Sequence, residues 1–140
     1  TNNNSKKELN KMAIKTHIFL RVDDEKEVLD SLSLILSRVT AFKLKITSQI
    51  DSTKALELIN KNNYSLIISD YKMSNINGIE LLETAMQKTP ITRRILITGY
   101  TDTDISKDAI KKEIIHSFLE KPWENDILIE VVTNQLNNIP

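Results

Sequence analysis

Short apolar runs alternate along the chain with longer segments in which apolar residues recur at helical spacing. The runs are rich in Ile, Leu, Val or Phe, and they predict five strands, at 17–22, 42–47, 65–69, 94–97 and 117–119. The longer segments predict helices around 28–39, 55–59, 79–86, 103–112 and 128–136. Five strands that alternate with helices indicate one α/β domain, a parallel sheet with helices on both faces. Segments 51–53 and 102–104 are expected to supply the N-caps of the second and fourth helices.

Polar residues stand at the ends of the predicted strands, where ligands of open parallel sheets bind. They are Asp23, Asp24, Asp70, Thr98 and Lys121. Each has an ordinary structural explanation when it is taken singly. An acidic pair favours the dipole of a following helix, Asp70 and Thr98 suit turns, and Lys121 suits an exposed surface.

The combination of these residues indicates more than any one of them. Three carboxylates at one edge repel by about 4 kcal/mol per close pair at an intermediate dielectric, so the pattern predicts a divalent cation. An open site of few oxygen ligands suits Mg²⁺ better than Ca²⁺. With Lys121 and Thr98 as donors to phosphoryl oxygens, the set fits phosphoryl transfer to Asp70 as a carboxylate nucleophile.

Composition narrows the alternatives. The chain has 140 residues, 19 basic against 19 acidic side chains and no cysteine, which excludes disulfides, thiolate catalysis and cysteine-based zinc sites. Gly78 and Gly99 are the only glycines, too few for a P-loop or a dinucleotide-binding turn. His17 and His116 are the only histidines and make a zinc hydrolase a poor fit. A flavin site is disfavoured because an anionic edge repels phosphate and no aromatic stacking pair is evident.

Five separated motifs resemble the signature of response-regulator receiver domains. They are VDDE at 22–25, IISDYKM at 67–73, NG at 77–78, ITG at 97–99 and KP at 121–122, in the order and near the spacing of that family. The similarity covers about 16–137. It implies a doubly wound, five-stranded flavodoxin-like (βα)5 sandwich of strand order 2-1-3-4-5, which takes a phosphoryl group from a histidine kinase in two-component signal transduction.

The same resemblance implies a role for each matching residue. Asp70 is the phosphoacceptor, while Asp24 binds Mg²⁺ directly and Asp23 does so largely through water. The backbone carbonyl of Lys72 completes the metal ligands, and Thr98 and Lys121 hold phosphoryl oxygens.

Other implied roles concern switching and the lifetime of the phosphorylated state. Thr98 and Phe118 are the switch pair, which acts on the surface of the fourth helix, fifth strand and fifth helix. Lys72 and Tyr100 are expected to overhang the aspartyl phosphate and tune its lifetime. The Lys121–Pro122 bond is expected to be cis.

The predicted protein is a cytoplasmic signalling switch, not an enzyme beyond self-phosphorylation and slow autodephosphorylation. Its expected partners are a histidine kinase or phosphotransfer protein, an unidentified output domain or target, and a second copy on phosphorylation. We expect no direct nucleic-acid binding and no membrane association. The receiver domain is assigned to 16–138, after a polar tail at 1–15 that is loosely ordered or artificial in origin. The alternative is a pseudo-receiver, which binds proteins without phosphorylation.

Two positions depart from the family pattern. Ser74 stands where proline is frequent, which predicts a less rigid loop after Asp70. Arg21 lies inside the first strand, where apolar side chains are usual. We interpret it as snorkelling at the strand edge or as pairing with an acid, without a functional role.

Overall fold

The computed structural model of the protein describes residues 16–23 and 43–139. Within these residues the strands are Thr16–Val22 (β1), Lys43–Gln49 (β2), Leu66–Asp70 (β3), Arg93–Gly99 (β4) and Ser117–Lys121 (β5). The helices are Ser52–Lys61 (α1), Gly78–Lys88 (α2), Thr103–Lys111 (α3) and Asn125–Asn137 (α4), with a 3₁₀ turn at Tyr100–Asp102 before α3. The tail at 1–15 and the predicted first helix lie outside the described residues, so α1 to α4 correspond to the predicted second to fifth helices.

The strands form one parallel sheet of order β2-β1-β3-β4-β5, which confirms the predicted fold class. Four strands, β2 to β5, run further at their carboxyl ends than their apolar runs suggested. Asp70 is the last residue of β3, Thr98 lies inside β4 and Lys121 ends β5, because the backbone at these positions still pairs with the neighbouring strand. Asp70 lies opposite Ile97 in the register, and Lys121 lies opposite Gly99. The polar residues therefore reach the edge of the sheet on paired backbone.

Apolar side chains cover both faces of the sheet. One buried cluster joins the sheet to α4: Leu66, Ile68, Ile95, Ile97, Leu119, Leu128, Val132 and Leu136. The other joins the opposite face to α1, α2 and α3, and it includes Leu20, Ile67, Leu96, Ile59, Leu82 and Ala109. Because neighbouring residues of β3 and β4 point to opposite faces, both strands are apolar throughout their centres. Full burial of each Leu or Ile side chain contributes about 1.5–3 kcal/mol.

Side chains cap two of the helices. Asp51, in the segment predicted to cap α1, accepts hydrogen bonds from the backbone N–H groups of Thr53 and Lys54. Asn77, which was not predicted as a cap, accepts one from the Glu80 N–H at the start of α2. Asp102 occupies the N-cap position of α3, within the predicted segment, but its side chain makes no capping hydrogen bond. Its carboxylate lies beside the cation of another loop instead.

We expected Arg21 to snorkel at the edge of β1 or to pair with an acid. It does not snorkel but is buried, with 1% of its surface exposed. Its Nη2 donates a hydrogen bond to Ser48 Oγ on the neighbouring strand β2. No helix in the described part of the chain has the length and apolar character of a membrane span.

Candidate functional site

Two carboxylates share one lysine at the carboxyl end of the sheet. Lys121 Nζ lies 3.4 Å from Asp70 Oδ1 and 3.6 Å from Asp23 Oδ2. Asp23 is completely buried, and its N–H continues the pairing of β1 by donating to the Gln49 carbonyl. Asp70 is also buried, while the side chain of Lys121 keeps contact with solvent. Three elements that are distant in sequence thus bring two acids and a base together.

The electrostatics of this site favour an added cation. Burial and, after it, the charge of Asp23 raise the pKa of Asp70 from 3.8 to about 6, although Lys121 acts in the opposite direction. A raised pKa means that one lysine does not compensate both carboxylates in this partly desolvated setting. Carboxylate oxygens are the ligands that Mg²⁺ prefers, so the donor set fits this ion. Asp24 lies outside the described residues, and within those residues no group of three acidic or histidine side chains forms a metal cluster.

Thr98 contributes a buried hydroxyl to this site. Its Oγ1 makes no hydrogen bond to any residue that the structure describes. An unmet buried hydroxyl costs about 1–3 kcal/mol, which a fold tolerates where a ligand completes the hydrogen bond. Thr98 lines the same cavity, of about 220 Å³, as Asp70 and Lys121.

The loop that follows β3 folds tightly against Asp70. The Gly78 N–H donates to the Tyr71 carbonyl at 2.8 Å, and a Cβ at position 78 would lie 2.1 Å from the Asp70 carbonyl oxygen. No side chain fits there, so glycine is required by this close approach. Asn77 before it caps α2, which gives the NG motif a purely structural explanation.

Ser52 is a residue of this site that sequence reasoning missed. Its hydroxyl donates to the Ser74 carbonyl at 2.6 Å and accepts from the Ile76 N–H at 3.3 Å. The loop after Asp70 is therefore tied to the start of α1, although Ser74 replaces the more usual proline. The only sequence signal was a hydroxyl beside a helix cap, which is too common to distinguish this role.

Lys72 and Asp102 line the cavity from two different loops. Lys72 Nζ lies 3.9 Å from Asp102 Oδ1; the lysine side chain is 75% exposed and the aspartate side chain 11%. Tyr100 lies in the 3₁₀ turn, and its side chain is outside the described part of the structure. The roles of Lys72 and Tyr100 in phosphoryl lifetime stay predictions.

Phe118 and Thr98 lie on adjacent strands. Phe118 is half-buried against the cluster on the α1, α2 and α3 side, and in the register it faces Leu96, two residues before Thr98. The Lys121–Pro122 bond is cis, as the resemblance implied. Trp123 follows it and packs, partly buried, against the cluster under α4.

Comparison with known proteins agrees with this geometry. Residues 19–133 match the model of the response regulator receiver domain. The chain is 32% identical over 121 residues to the hydrogenase transcriptional regulatory protein HoxA of Cupriavidus necator, which covers 86% of this chain and 24% of HoxA. It is 27% identical over 125 residues to the transcriptional regulatory protein FixJ of Bradyrhizobium diazoefficiens, covering 89% of this chain and 58% of FixJ. It thus spans only part of these relatives.

Solved structures show the same likeness. A response regulator receiver domain protein from Clostridium thermocellum superposes with a TM-score of 0.77 at 25% identity, covering 86% of this chain and 94% of the other. The chain belongs to the response regulator receiver domain family, the switch domains of two-component signalling proteins.

Proposed function

We propose that this domain accepts a phosphoryl group on Asp70 and switches a distant surface in response. A carboxylate oxygen of Asp70 attacks the phosphorus in line, and the bond from phosphorus to the donor's nitrogen or oxygen breaks as an aspartyl phosphate forms. With acetyl phosphate as donor, acetate leaves. Hydrolysis later returns inorganic phosphate and the free carboxylate, so the domain acts as a slow switch and not as a turnover enzyme.

The observation that carries the proposal is the arrangement around Asp70. Lys121 Nζ lies 3.4 Å from the nucleophile and can neutralise a transferring oxygen. The buried Thr98 hydroxyl has a donor to spare in the same cavity. A pseudo-receiver would need none of these groups, and all three are present.

Mg²⁺ supplies charge neutralisation for the transferring oxygens when it is bound. We assign its ligands to Asp23, Asp24, Asp70 and the backbone carbonyl of Lys72. Trp123 lies two residues beyond Lys121, so its fluorescence should change on titration with Mg²⁺. Asp23→Asn should weaken that response, and an undiminished response would contradict the assignment.

Intact-mass spectrometry tests phosphorylation most simply. Wild-type protein with acetyl phosphate and Mg²⁺ should gain the mass of one phosphoryl group, and Asp70→Asn should gain none. Asp108→Asn, which changes an exposed acid, is the matched control and should be labelled like wild type. Labelling of Asp70→Asn would overturn the assignment, and an unlabelled wild type would favour the pseudo-receiver.

We attribute switching to Thr98 and Phe118, which lie on adjacent strands two register positions apart. When the Thr98 hydroxyl moves to a phosphoryl oxygen, it vacates space that the half-buried Phe118 ring can enter, which biases the α3–β5–α4 surface towards a second arrangement. Amide exchange with and without beryllofluoride should change within residues 98–125, and less so in Thr98→Ala. Changes confined to α1 would contradict this route.

The lifetime of the aspartyl phosphate is proposed to depend on Lys72 and Tyr100, two residues beyond Asp70 and Thr98. Tyr100→Ala should shorten the lifetime several-fold if the ring obstructs the attacking water, and an unchanged lifetime would exclude that role.

The proposed partners are a cytoplasmic histidine kinase or phosphotransfer protein, an output domain or target, and a second copy after phosphorylation. Analytical ultracentrifugation with beryllofluoride tests the last of these.

A further inference from the structure

Two loops meet across the cavity that contains Asp70. Lys72 belongs to the loop between β3 and α2, and Asp102 belongs to the turn between β4 and α3. Their charged groups are 3.9 Å apart, and both residues line the cavity together with Asp70 and Lys121. A phosphodonor that enters this cavity therefore passes close to this pair.

The carboxylate of Asp102 makes no capping hydrogen bond to α3. An aspartate at an N-cap position normally accepts a hydrogen bond from one of the first helical N–H groups, which contributes about 1 kcal/mol. Asp102 holds this position in front of α3 and accepts none. Instead its side chain is 11% exposed and faces the cation of Lys72. Because Asp102 lines the same cavity as Asp70, its carboxylate contributes to the negative potential of that cavity.

We propose that Asp102 is a positioning residue for the phosphorylation reaction: it holds Lys72 across the cavity mouth and limits the entry of anionic phosphodonors. This inference rests on the proposed function. The negative charge of Asp102 opposes a dianionic donor, and its attraction for Lys72 keeps that cation from meeting the donor. Entry then requires Lys72 to exchange the Asp102 carboxylate for a phosphoryl oxygen.

Asp102→Asn tests the proposal because it removes the negative charge and leaves at the N-cap position a residue that suits it as well as Asp does. At low ionic strength this variant should be phosphorylated by acetyl phosphate about fivefold faster than wild type. The gain should shrink as salt screens the charge, and it should be smaller with phosphoramidate, a less negative donor. A change in helix packing would not produce this dependence on salt and donor charge.

Controls separate the pair from its surroundings. Asp104→Asn removes an exposed acid two residues further along and should leave the rate at the wild-type value. Lys72→Met alone should slow labelling, because it leaves the charge of Asp102 uncompensated. The same substitution should have less effect when it is combined with Asp102→Asn, so the effects of the two substitutions should not be additive.

The results of these experiments test the role of Asp102 separately from the assignment of Asp70 as phosphoacceptor. If wild type is labelled and Asp102→Asn is labelled at the same rate at every salt concentration, the inference about Asp102 is overturned and the phosphoacceptor assignment stands. Additive effects of the Lys72 and Asp102 substitutions would overturn it equally. If wild type takes no label from either donor, the proposed function and this inference fall together.

Discussion

The carboxyl and amino ends of the same parallel sheet differ in how fully their buried polar groups are paired. At the carboxyl end, Asp23 and Asp70 share Lys121, and the Thr98 hydroxyl has no hydrogen-bond partner among the described residues. At the amino end, the buried Arg94 donates to four backbone carbonyl oxygens, those of Pro90, Thr92, Glu113 and Ile114, at 2.7 to 3.1 Å. A hydroxyl at the first end thus lacks a partner, whereas the arginine at the second has several.

Helix polarity explains which charge is found at each end. In a doubly wound fold the N-termini of the helices lie at the carboxyl edge of the sheet and their C-termini at the amino edge. Carboxylates therefore suit the first edge, and cations suit the second. Arg94 satisfies carbonyls just beyond the end of α3, and Lys88 donates to the Ile59 carbonyl of α1 at 2.5 Å. The same dipoles thus favour carboxylates at one edge and cations that donate to carbonyl groups at the other.

Arg94→Met should produce the largest loss of stability. Burial lowers the pKa of Arg94 to about 10, so it stays charged at neutral pH, and its removal leaves four carbonyls without a donor. We expect a loss of about 3–5 kcal/mol in the free energy of unfolding, measured by urea denaturation. Lys107→Met, at an exposed position of α3, is the control. A loss below about 1 kcal/mol would show that the stability of the amino end does not depend on the hydrogen bonds of Arg94.

Asp70→Asn should instead increase the free energy of unfolding of the metal-free protein. Because burial and Asp23 raise the pKa of Asp70 to about 6, its charge destabilises the metal-free fold above that pH, and the penalty disappears below 3.8. In buffer without Mg²⁺ at pH 7 the variant should be more stable by about 1–2 kcal/mol, after allowance for screening. At pH 3.5 the two proteins should differ little. A variant that is less stable than wild type at pH 7 would contradict the contrast between the two ends.

Lys88→Met should give a smaller loss at the amino end. The ammonium group donates to the Ile59 carbonyl and, at 3.4 Å, to that of Asn62, where α1 ends. We expect about 1 kcal/mol, because the lysine stem keeps its packing in the methionine variant. Thermal and urea unfolding measure this loss of stability. A loss equal to that of Lys107→Met would show that Lys88 does not stabilise the amino end.

Acidification should weaken the amino end slightly. Burial, with the charges of Arg94 and Arg93, lowers the pKa of His116 to about 4, and its Nδ1 accepts the Arg94 N–H. The unfolded chain binds the proton first, so stability is complete above about 6.5 and falls as pH drops towards 4. The effect is small because the ring is only half-buried. His116→Asn, which keeps an acceptor, should lose less stability than wild type between pH 7 and 4.5; an equal loss would exclude His116 as the cause.

The sequence predicted the carboxyl end far better than the amino end. Apolar runs placed the strands, and the polar residues at their ends followed from the rule that parallel strands share one binding edge. Arg94 was assigned only to a strand, because its partners at 113 and 114 are backbone carbonyls, which no side-chain pattern reveals. Asp102 is at the predicted N-cap position, but its carboxylate faces Lys72 instead of the helix, because local propensity does not include a cation from another loop. Ser52 was missed because its partners are backbone groups of another loop.

Thermal unfolding with Mg²⁺ and beryllofluoride tests the central claim most directly, namely that the carboxyl end is left incomplete for a metal and a phosphoryl group. Wild type should gain at least about 5 °C in melting temperature, since both ligands bind only the folded state. Lys88→Met, altered at the other end, should gain as much, and Asp70→Asn should gain little. No gain in wild type, or an equal gain in Asp70→Asn, would contradict the account.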